Sequence, residues 1–149
     1  MSYFENIRKL VGNEPILLVR PSLLLFNEDQ ELLMVKHQEG IWGVPGGMMD
    51  LGESPQECLN REVFEELSIY LGPLQLIEVY AGKGLYNELP NGDKFHTLAI
   101  VYVARSYTGQ IKPDPAEIHD IGFFDPLALP DNTSHFIQAK LPELLPLLK

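Results

Sequence analysis

Apolar residues follow two different spacings along this chain, and each spacing predicts a kind of secondary structure. A helical spacing of three to four residues spans residues 3–11, and Gly12 is a natural stop for that helix. The spacing returns after Ser54-Pro55, where Ser54 and Glu57 form the sequence signature of a capping box. The face that this second helix would bury recurs every four residues at Leu59, Val63 and Leu67.

The other apolar segments are β-rich in composition and are separated by turn residues. Pro21 indicates an edge position or a bulge in the first of them. Asn91-Gly92 is a hairpin-type turn. The segments predict strands over residues 16–26, 32–35, 42–44, 74–81, 95–105 and 121–124.

A last helix is predicted near the C-terminus, capped by Thr133 or Ser134, and Pro142 and Pro146 are expected to break whatever follows. Strands and helices therefore mix without a strict βαβ alternation. This order predicts an α/β fold of the α+β type, a mixed β-sheet sandwiched between helices. The 149 residues suit a single domain, 1–149. We expect the first helix to pack on its own domain, and a homodimer contact is the alternative.

The net charge restricts the possible binding partners of the protein but says little about its fold. The formal net charge of −10 argues against long nucleic acids, which need a basic footprint, but not against small nucleotides that bring a divalent cation. The single cysteine, Cys58, forms no internal disulfide, which fits a reducing cytosol. The apolar runs are too short for a membrane span and the N-terminus lacks a signal-peptide core, so we expect a cytoplasmic protein without membrane partners.

The second helix gathers acids on one flank. Glu62, Glu65 and Glu66 lie at spacings that share a helix face, in the last turns where the helix dipole disfavours anions. No lysine or arginine follows within a turn to compensate them. A solvated acidic face is the alternative. However, Gly46-Gly47 lies just upstream and allows backbone groups to approach an ion or a phosphate closely. Oxygen ligands select hard cations, Mg²⁺ first and Mn²⁺ next.

These residues resemble the signature of a known family, the Nudix box. The resemblance rests on Gly47, Glu53 and the run Arg61-Glu62-Val63-Phe64-Glu65-Glu66, and it extends upstream to Trp42 and downstream to Ile69. It implies the Nudix fold and a hydrolase acting on nucleoside diphosphates linked to another moiety. Two departures stand out. Ser68 replaces the usual glycine, so we expect an altered helix end, and the arginine often found near His37 is absent.

The resemblance also implies roles for the acids. Glu62 and Glu66 would be metal ligands, Glu65 would be a further ligand or would hold a metal-bound water, and the Gly46 carbonyl would be a backbone ligand. The ion would be Mg²⁺ or Mn²⁺. Glu62 is the first candidate for the general base. Glu117 is the second, and an exposed loop acid is an equal alternative for it.

Arg61 would position the carboxylates, through Glu53, rather than touch substrate. The alternative is a weak surface pair with Glu57, four residues earlier on the helix. Gly47 is a candidate substrate-binding residue, and so are Tyr86 and Phe95, whose rings would stack on a base. Isolated aromatic residues near strands are more often core.

The leading functional hypothesis is therefore Mg²⁺-dependent hydrolysis of a diphosphate bond by water attack on phosphorus. The substrates in view are ADP-ribose, nucleotide sugars, dinucleotides and nucleoside triphosphates. One alternative is a nucleotide-binding sensor that has the fold without turnover. A third hypothesis is removal of a 5′ pyrophosphate or cap from RNA, against which the acidity of the chain weighs.

Overall fold

The computed structural model describes residues 2–148 and contains three α-helices, nine strands and two short 3₁₀ helices. The helices are α1 (Tyr3–Val11), α2 (Pro55–Leu67) and α3 (His135–Leu144), and the 3₁₀ helices are Lys83–Leu85 and Leu145–Leu147. The strands are β1 (Ile16–Leu25), β2 (Leu32–His37), β3 (Trp42–Gly43), β4 (Tyr70–Leu71), β5 (Gln75–Tyr80), β6 (Tyr86–Glu88), β7 (Lys94–Ala104), β8 (Tyr107–Thr108) and β9 (Ile118–Phe124).

The largest sheet has the order β1-β7-β5, with β6 also paired to β7. Strand β1 runs parallel to β7, and β5 and β6 run antiparallel to it. Pro21 therefore lies on an edge strand, one of the two positions that its missing N–H predicts. The free side of β1 is lined by the segment that follows β3, since Leu23 N–H donates to Pro45 O at 2.9 Å and Met49 N–H donates to Val19 O at 3.0 Å.

A second sheet, β3-β2-β9, and the small ribbon β4-β8 complete the strands. Alternate residues of β1 and β2 enter two separate cores. Leu23 and Leu33 belong to the core covered by α2, whereas Leu24 and Met34 belong to the core covered by α3. The predicted arrangement of mixed strands between helices is therefore confirmed, and α2 is fixed against the sheet by its buried apolar face.

Several boundaries differ from the prediction. Pro142 lies inside α3, which continues to Leu144, so the expected break at this residue is wrong. Strand β9 begins at Ile118 rather than at residue 121. The segment between β5 and the Asn91-Gly92 turn contains a 3₁₀ helix and β6, which composition did not predict.

Helix α1 has the predicted bounds, none of its residues is fully buried, and polar contacts join it to the rest of the fold. Arg8 Nη1 donates to the carbonyl oxygens of Gly12 and Glu14, and Arg8 Nε lies 3.3 Å from Asp93 Oδ1. The N–H of Tyr3 donates to Asp50 Oδ1 at 2.9 Å. These contacts fasten α1 to its own fold, as expected. Within residues 2–148, no helix has the length and apolar character needed to cross a lipid bilayer.

Candidate functional site

The start of α2 is fixed by the predicted capping box. Ser54 Oγ accepts from Glu57 N–H at 3.1 Å, and Glu57 Oε1 accepts from Ser54 N–H at 3.0 Å. Pro55 occupies the first turn, where its missing N–H costs nothing. The helix is thus held at its first turn and along its apolar face, which gives the carboxylates of its last two turns defined positions.

Arg61 contacts Glu53, Glu62 and Glu65, and we call these three acids with Arg61 the outer flank of α2. Its Nε donates to Glu53 Oε2 at 2.6 Å and its Nη2 donates to Glu53 Oε1 at 3.0 Å, which is a bidentate pair. Its Nη1 donates to Glu62 Oε1 at 3.0 Å and to Glu65 Oε2 at 3.4 Å. Arg61 is therefore the cation that compensates these acids, and it precedes Glu62 and Glu65 on the helix.

The contact between Arg61 and Glu53 changes the pKa of both groups. Hydrogen bonding to Arg61 holds the pKa of Glu53 below its usual range and raises that of the Arg61 guanidinium. Glu53 Oε1 also accepts from the N–H of Asp50 at 2.8 Å. No pair between Arg61 and Glu57 occurs among residues 2–148, and Glu57 serves the capping box instead. Arg61 therefore contacts Glu53 and Glu62 instead of forming the surface pair, and its positioning role stays a prediction.

Glu66 lies one turn after Glu62, on the buried side of α2, which we call the inner flank. Its residue is only 3% exposed, and its Oε1 has no hydrogen-bond partner among the described residues. The pKa of Glu66 is raised to about 8, mainly by burial; the charge of Arg20 opposes this rise, and the negative charges of Glu62 and Glu117 add to it. Burial likewise raises the pKa of Glu62. A buried carboxylate oxygen without a partner is costly unless a cation or a proton completes it.

The two glycines before the box allow its close packing. A Cβ atom added at Gly47 would overlap the carboxyl group of Glu62, and one added at Gly46 would overlap the carbonyl oxygen of Pro21. The Gly46 group brought to Glu66 is its backbone N–H, which lowers the pKa of that carboxyl. The glycines are thus needed for contact distance with Glu62 and with β1.

A loop after β8 brings Glu117 towards the same acids. The N–H of Asp114 donates to Glu66 O at 2.8 Å, and that of Lys112 donates to Leu67 O at 2.9 Å, so the loop is docked on the end of α2. Glu117 is exposed, and its charge raises the pKa of both Glu62 and Glu66. An open cleft of about 260 Å³ lies beside it, lined by His37, Gln38, Glu39, Ala116 and Glu117.

The end of α2 keeps the geometry of a glycine cap without the glycine. Ser68 adopts the left-handed conformation with φ 62°, and its N–H donates to Phe64 O at 2.9 Å. The expected alteration of the helix end is therefore wrong, since the backbone at Ser68 takes the shape that glycine would take. The serine side chain pays a conformational cost for this shape.

Arg20 is the charged residue that sequence analysis missed. It is half-buried on β1 and interacts electrostatically with Glu66 and Glu62. The pKa of His37 is lowered by burial and, after burial, by the charge of Arg20. The charge of Arg20, on β1, therefore acts near His37, which has no arginine close to it in the sequence. The available signal was a lone charge inside the apolar run of residues 16–26.

The two aromatic residues predicted to stack on a base pack elsewhere in the fold. Phe95 is 9% exposed and pairs with Ile16 on β1, four residues before Arg20, which is about 13 Å along the strand. Tyr86 packs against the ring of His96. Within residues 2–148 no group of three or more His, Cys, Asp or Glu side chains is already closed around one point. Substrate oxygens or water would thus be needed to complete a metal site.

Comparisons with known proteins agree with the box. Residues 17–145 match the family model described as NUDIX domain. The Uncharacterized Nudix hydrolase YvcI of Bacillus subtilis is 31% identical over 121 residues, which are 76% of this chain and 73% of that protein. The NAD-capped RNA hydrolase NudC of Chromobacterium violaceum is 30% identical over 111 residues, which are 72% of this chain and 38% of that protein.

A solved structure extends the agreement to the fold. The crystal structure of MutT NUDIX hydrolase from Burkholderia pseudomallei has a TM-score of 0.73 and 28% identity, covering 89% of this chain and 98% of that one. The family resemblance seen over residues 42–69 and the predicted fold are both confirmed by these matches.

Proposed function

This chain belongs to the Nudix family of hydrolases, and we propose that it hydrolyses a diphosphate bond in a nucleoside diphosphate derivative with the help of Mg²⁺ or Mn²⁺. One observation carries the proposal. Glu66 is buried with an unpartnered oxygen, and Glu62 and Glu117 are the negative charges beside it. Acids concentrated in this way are stable together when a divalent cation neutralises them.

The chemistry of the donors fits a hard cation. Glu62 and Glu66 would hold the ion through carboxylate oxygens, with Glu65 as a further ligand or as an acceptor for a bound water. The Gly46 carbonyl remains the proposed backbone ligand. When bound, such an ion neutralises the phosphate charge and lowers the pKa of a coordinated water.

The remaining roles belong to side chains of the chain itself. Glu62 is the first candidate for the base that takes a proton from water, and Glu117, exposed beside the cleft, is the second. Arg61 is a positioning residue, because it holds Glu62 and Glu53 at once. The loops that line the cleft, and not the box, are the proposed source of substrate choice. Gly47, Tyr86 and Phe95 stay as candidates for substrate contact.

The direct test is a substrate panel with product identification. Purified protein is incubated with Mg²⁺, Mn²⁺ or EDTA and with ADP-ribose, nucleotide sugars, dinucleotides and nucleoside triphosphates. We expect a nucleoside monophosphate or inorganic pyrophosphate to appear with metal and to be absent with EDTA. Failure to cut any diphosphate bond, combined with tight nucleotide binding, would establish the sensor alternative instead.

RNA ends are the second candidate, favoured by one specific observation. The NudC relative, which is 30% identical over 111 residues, is described as a NAD-capped RNA hydrolase. The chain covers only 38% of that protein, and its own net charge is −10. NAD-capped RNA, 5′-triphosphate RNA and free NAD are therefore compared at equal concentration. We expect the free dinucleotide to be preferred, since phosphate contacts along RNA require lysine and arginine.

A further inference from the structure

Arg20 is a charged residue at a structurally constrained point of β1. The carbonyl oxygen of Val19 accepts from Met49 N–H at 3.0 Å, and that of Pro21 accepts from Gly47 N–H at 3.4 Å. The box loop is thus fastened to the backbone on both sides of Arg20. On the other edge of the strand, Arg20 is in register with Ala99 of β7. The origin of its side chain is therefore fixed relative to the Gly46–Met49 segment.

The guanidinium of Arg20 is not used by the protein. It makes no hydrogen bond and no ion pair within 4.0 Å among the residues that the structure describes, although the side chain is half-buried. A guanidinium has five N–H donors, and those of Arg20 are accessible to solvent, since none of its nitrogen atoms is buried without a partner. Arg61, by contrast, donates to three carboxylates within 3.4 Å.

The charged and titratable groups facing Arg20 identify what it can do. Glu66 and Glu62 attract it, Cys58 is close, and His37 feels its charge. The two acids are the proposed holders of a divalent cation. Once a cation neutralises them, their pull on Arg20 decreases and its donors are free for another anion. A planar guanidinium fork matches two oxygens of a phosphate group.

We propose that Arg20 is a substrate-binding residue that donates hydrogen bonds to a non-bridging oxygen of the diphosphate. The inference rests on the proposed function, because it assumes that the box holds a diphosphate. It makes Arg20 a direct contact to the substrate, reached from β1 instead of from the box helix. The competing role is a resident counter-ion that only balances Glu66.

The two roles differ in measurable ways. A counter-ion repels a divalent cation, so its removal would tighten Mg²⁺ binding and leave diphosphate affinity at saturating Mg²⁺ unchanged. A phosphate ligand, when removed, weakens diphosphate binding by about 10- to 100-fold even at saturating Mg²⁺. Calorimetric titration therefore separates them.

The experiment uses imidodiphosphate, a diphosphate analogue that cannot be hydrolysed at its bridge, with saturating Mg²⁺. The wild type is compared with Arg20→Gln, Arg20→Lys and the control Arg105→Gln. Arg105 is an exposed arginine that contacts Gln30 and the ring of Phe26. We expect Arg20→Gln to bind at least tenfold more weakly, Arg20→Lys to fall between, and Arg105→Gln to match the wild type. If Arg20→Gln does not fold, the Arg20→Lys comparison decides, because it retains the charge and removes the fork.

Equal affinity of the folded Arg20 variants and the wild type would overturn the inference, and so would absence of binding by the wild type itself. Neither result depends on turnover. A wild type that cuts no diphosphate yet loses affinity on Arg20→Gln would contradict the proposed function while supporting the role of Arg20. A wild type that cuts diphosphates with unchanged KM and kcat in Arg20→Gln would do the opposite.

Discussion

The two flanks of α2 carry acids of similar sequence and opposite surroundings. On the outer flank, Arg61 donates to Glu53, Glu62 and Glu65, and Glu53 is only 17% exposed at its side chain. On the inner flank, Glu66 is 3% exposed and its Oε1 lacks a partner, while Arg20 faces it without a hydrogen bond. The acids of the outer flank have a cationic partner within the protein, whereas the Oε1 of Glu66 on the inner flank has none among the described residues.

This contrast indicates which side of α2 is available for chemistry. A bidentate arginine pair fixes geometry and leaves few donors for a substrate. A buried carboxylate oxygen without a partner, on Glu66, and the unpaired guanidinium of Arg20 are brought together by β1 and α2 and are retained at a cost to stability. The inner flank is therefore the proposed place of chemistry, and the outer flank is the support that orients it.

The sharpest test of this division is Glu66→Gln. We expect kcat to fall about 10³-fold, since loss of a proposed metal ligand removes ~4 kcal/mol of transition-state stabilisation. Stability should stay within about 1 kcal/mol of the wild type, because a neutral amide is cheaper to bury than a carboxylate. Steady-state kinetics and urea unfolding measure the two effects. Glu143→Gln, an exposed acid on α3, is the control and should change neither. An active Glu66→Gln variant would remove Glu66 from the proposed ligand set.

Gly47→Ala tests whether activity depends on the position that close packing against Gly47 gives to the Glu62 carboxyl group. The added methyl would overlap the Glu62 carboxyl group, so we expect that side chain to move and kcat/KM to fall about 10- to 100-fold. Gly43→Ala is the matched control, because a Cβ there has no heavy atom within 4 Å. Kinetics of both variants at saturating Mg²⁺ provide the measurement. Equal activities would show that the position of Glu62 is not critical.

Double-mutant cycles on Arg61 test the outer flank itself. We expect a coupling free energy of about 1–3 kcal/mol between Arg61 and Glu53, whose carboxylate is bidentate and largely shielded. The coupling to Glu65, which is 56% exposed, should be about 0.5 kcal/mol or less. Urea unfolding of Arg61→Lys, Glu53→Gln, Glu65→Gln and the two double variants gives both values. Similar couplings for the two acids would contradict the view that the Glu53 pair is the support.

The outer flank was readable from sequence because its contacts are local. Ser54, Glu57, Arg61 and Glu62 lie within nine residues, and helix geometry fixes how they meet. The capping box was predicted on this basis, whereas the link from Arg61 to Glu53 was implied by the family resemblance. Arg61 compensates Glu62 although it precedes that acid on the helix, and it also reaches Glu65.

The inner flank was less readable because distant segments build it. Arg20 is separated from Glu66 by the whole of β2, β3 and the box loop, and its charge inside an apolar strand had no local partner to explain it. The position of Glu117 beside the acids depends on backbone bonds from the docked loop to the last turn of α2. The helix break predicted at Pro142 is wrong for a related reason. Tertiary packing of the buried residues Ile137, Leu141 and Leu144 holds the helix across the proline.

The smallest predicted effect lies where the two flanks end, at Ser68. Its left-handed backbone, φ 62°, costs a serine about 1 kcal/mol more than it costs a glycine, so Ser68→Gly should raise the free energy of unfolding by about 0.5–1 kcal/mol. Urea unfolding measures the gain. Ser68→Ala is the control, because it removes the hydroxyl without easing the backbone and should give no gain. Since Ser68 contributes backbone shape only, kcat should stay the same in both variants. A stabilised Ser68→Gly with reduced kcat would show instead that strain at the helix end positions Glu66, and the flanks could then no longer be treated as separate from the cap.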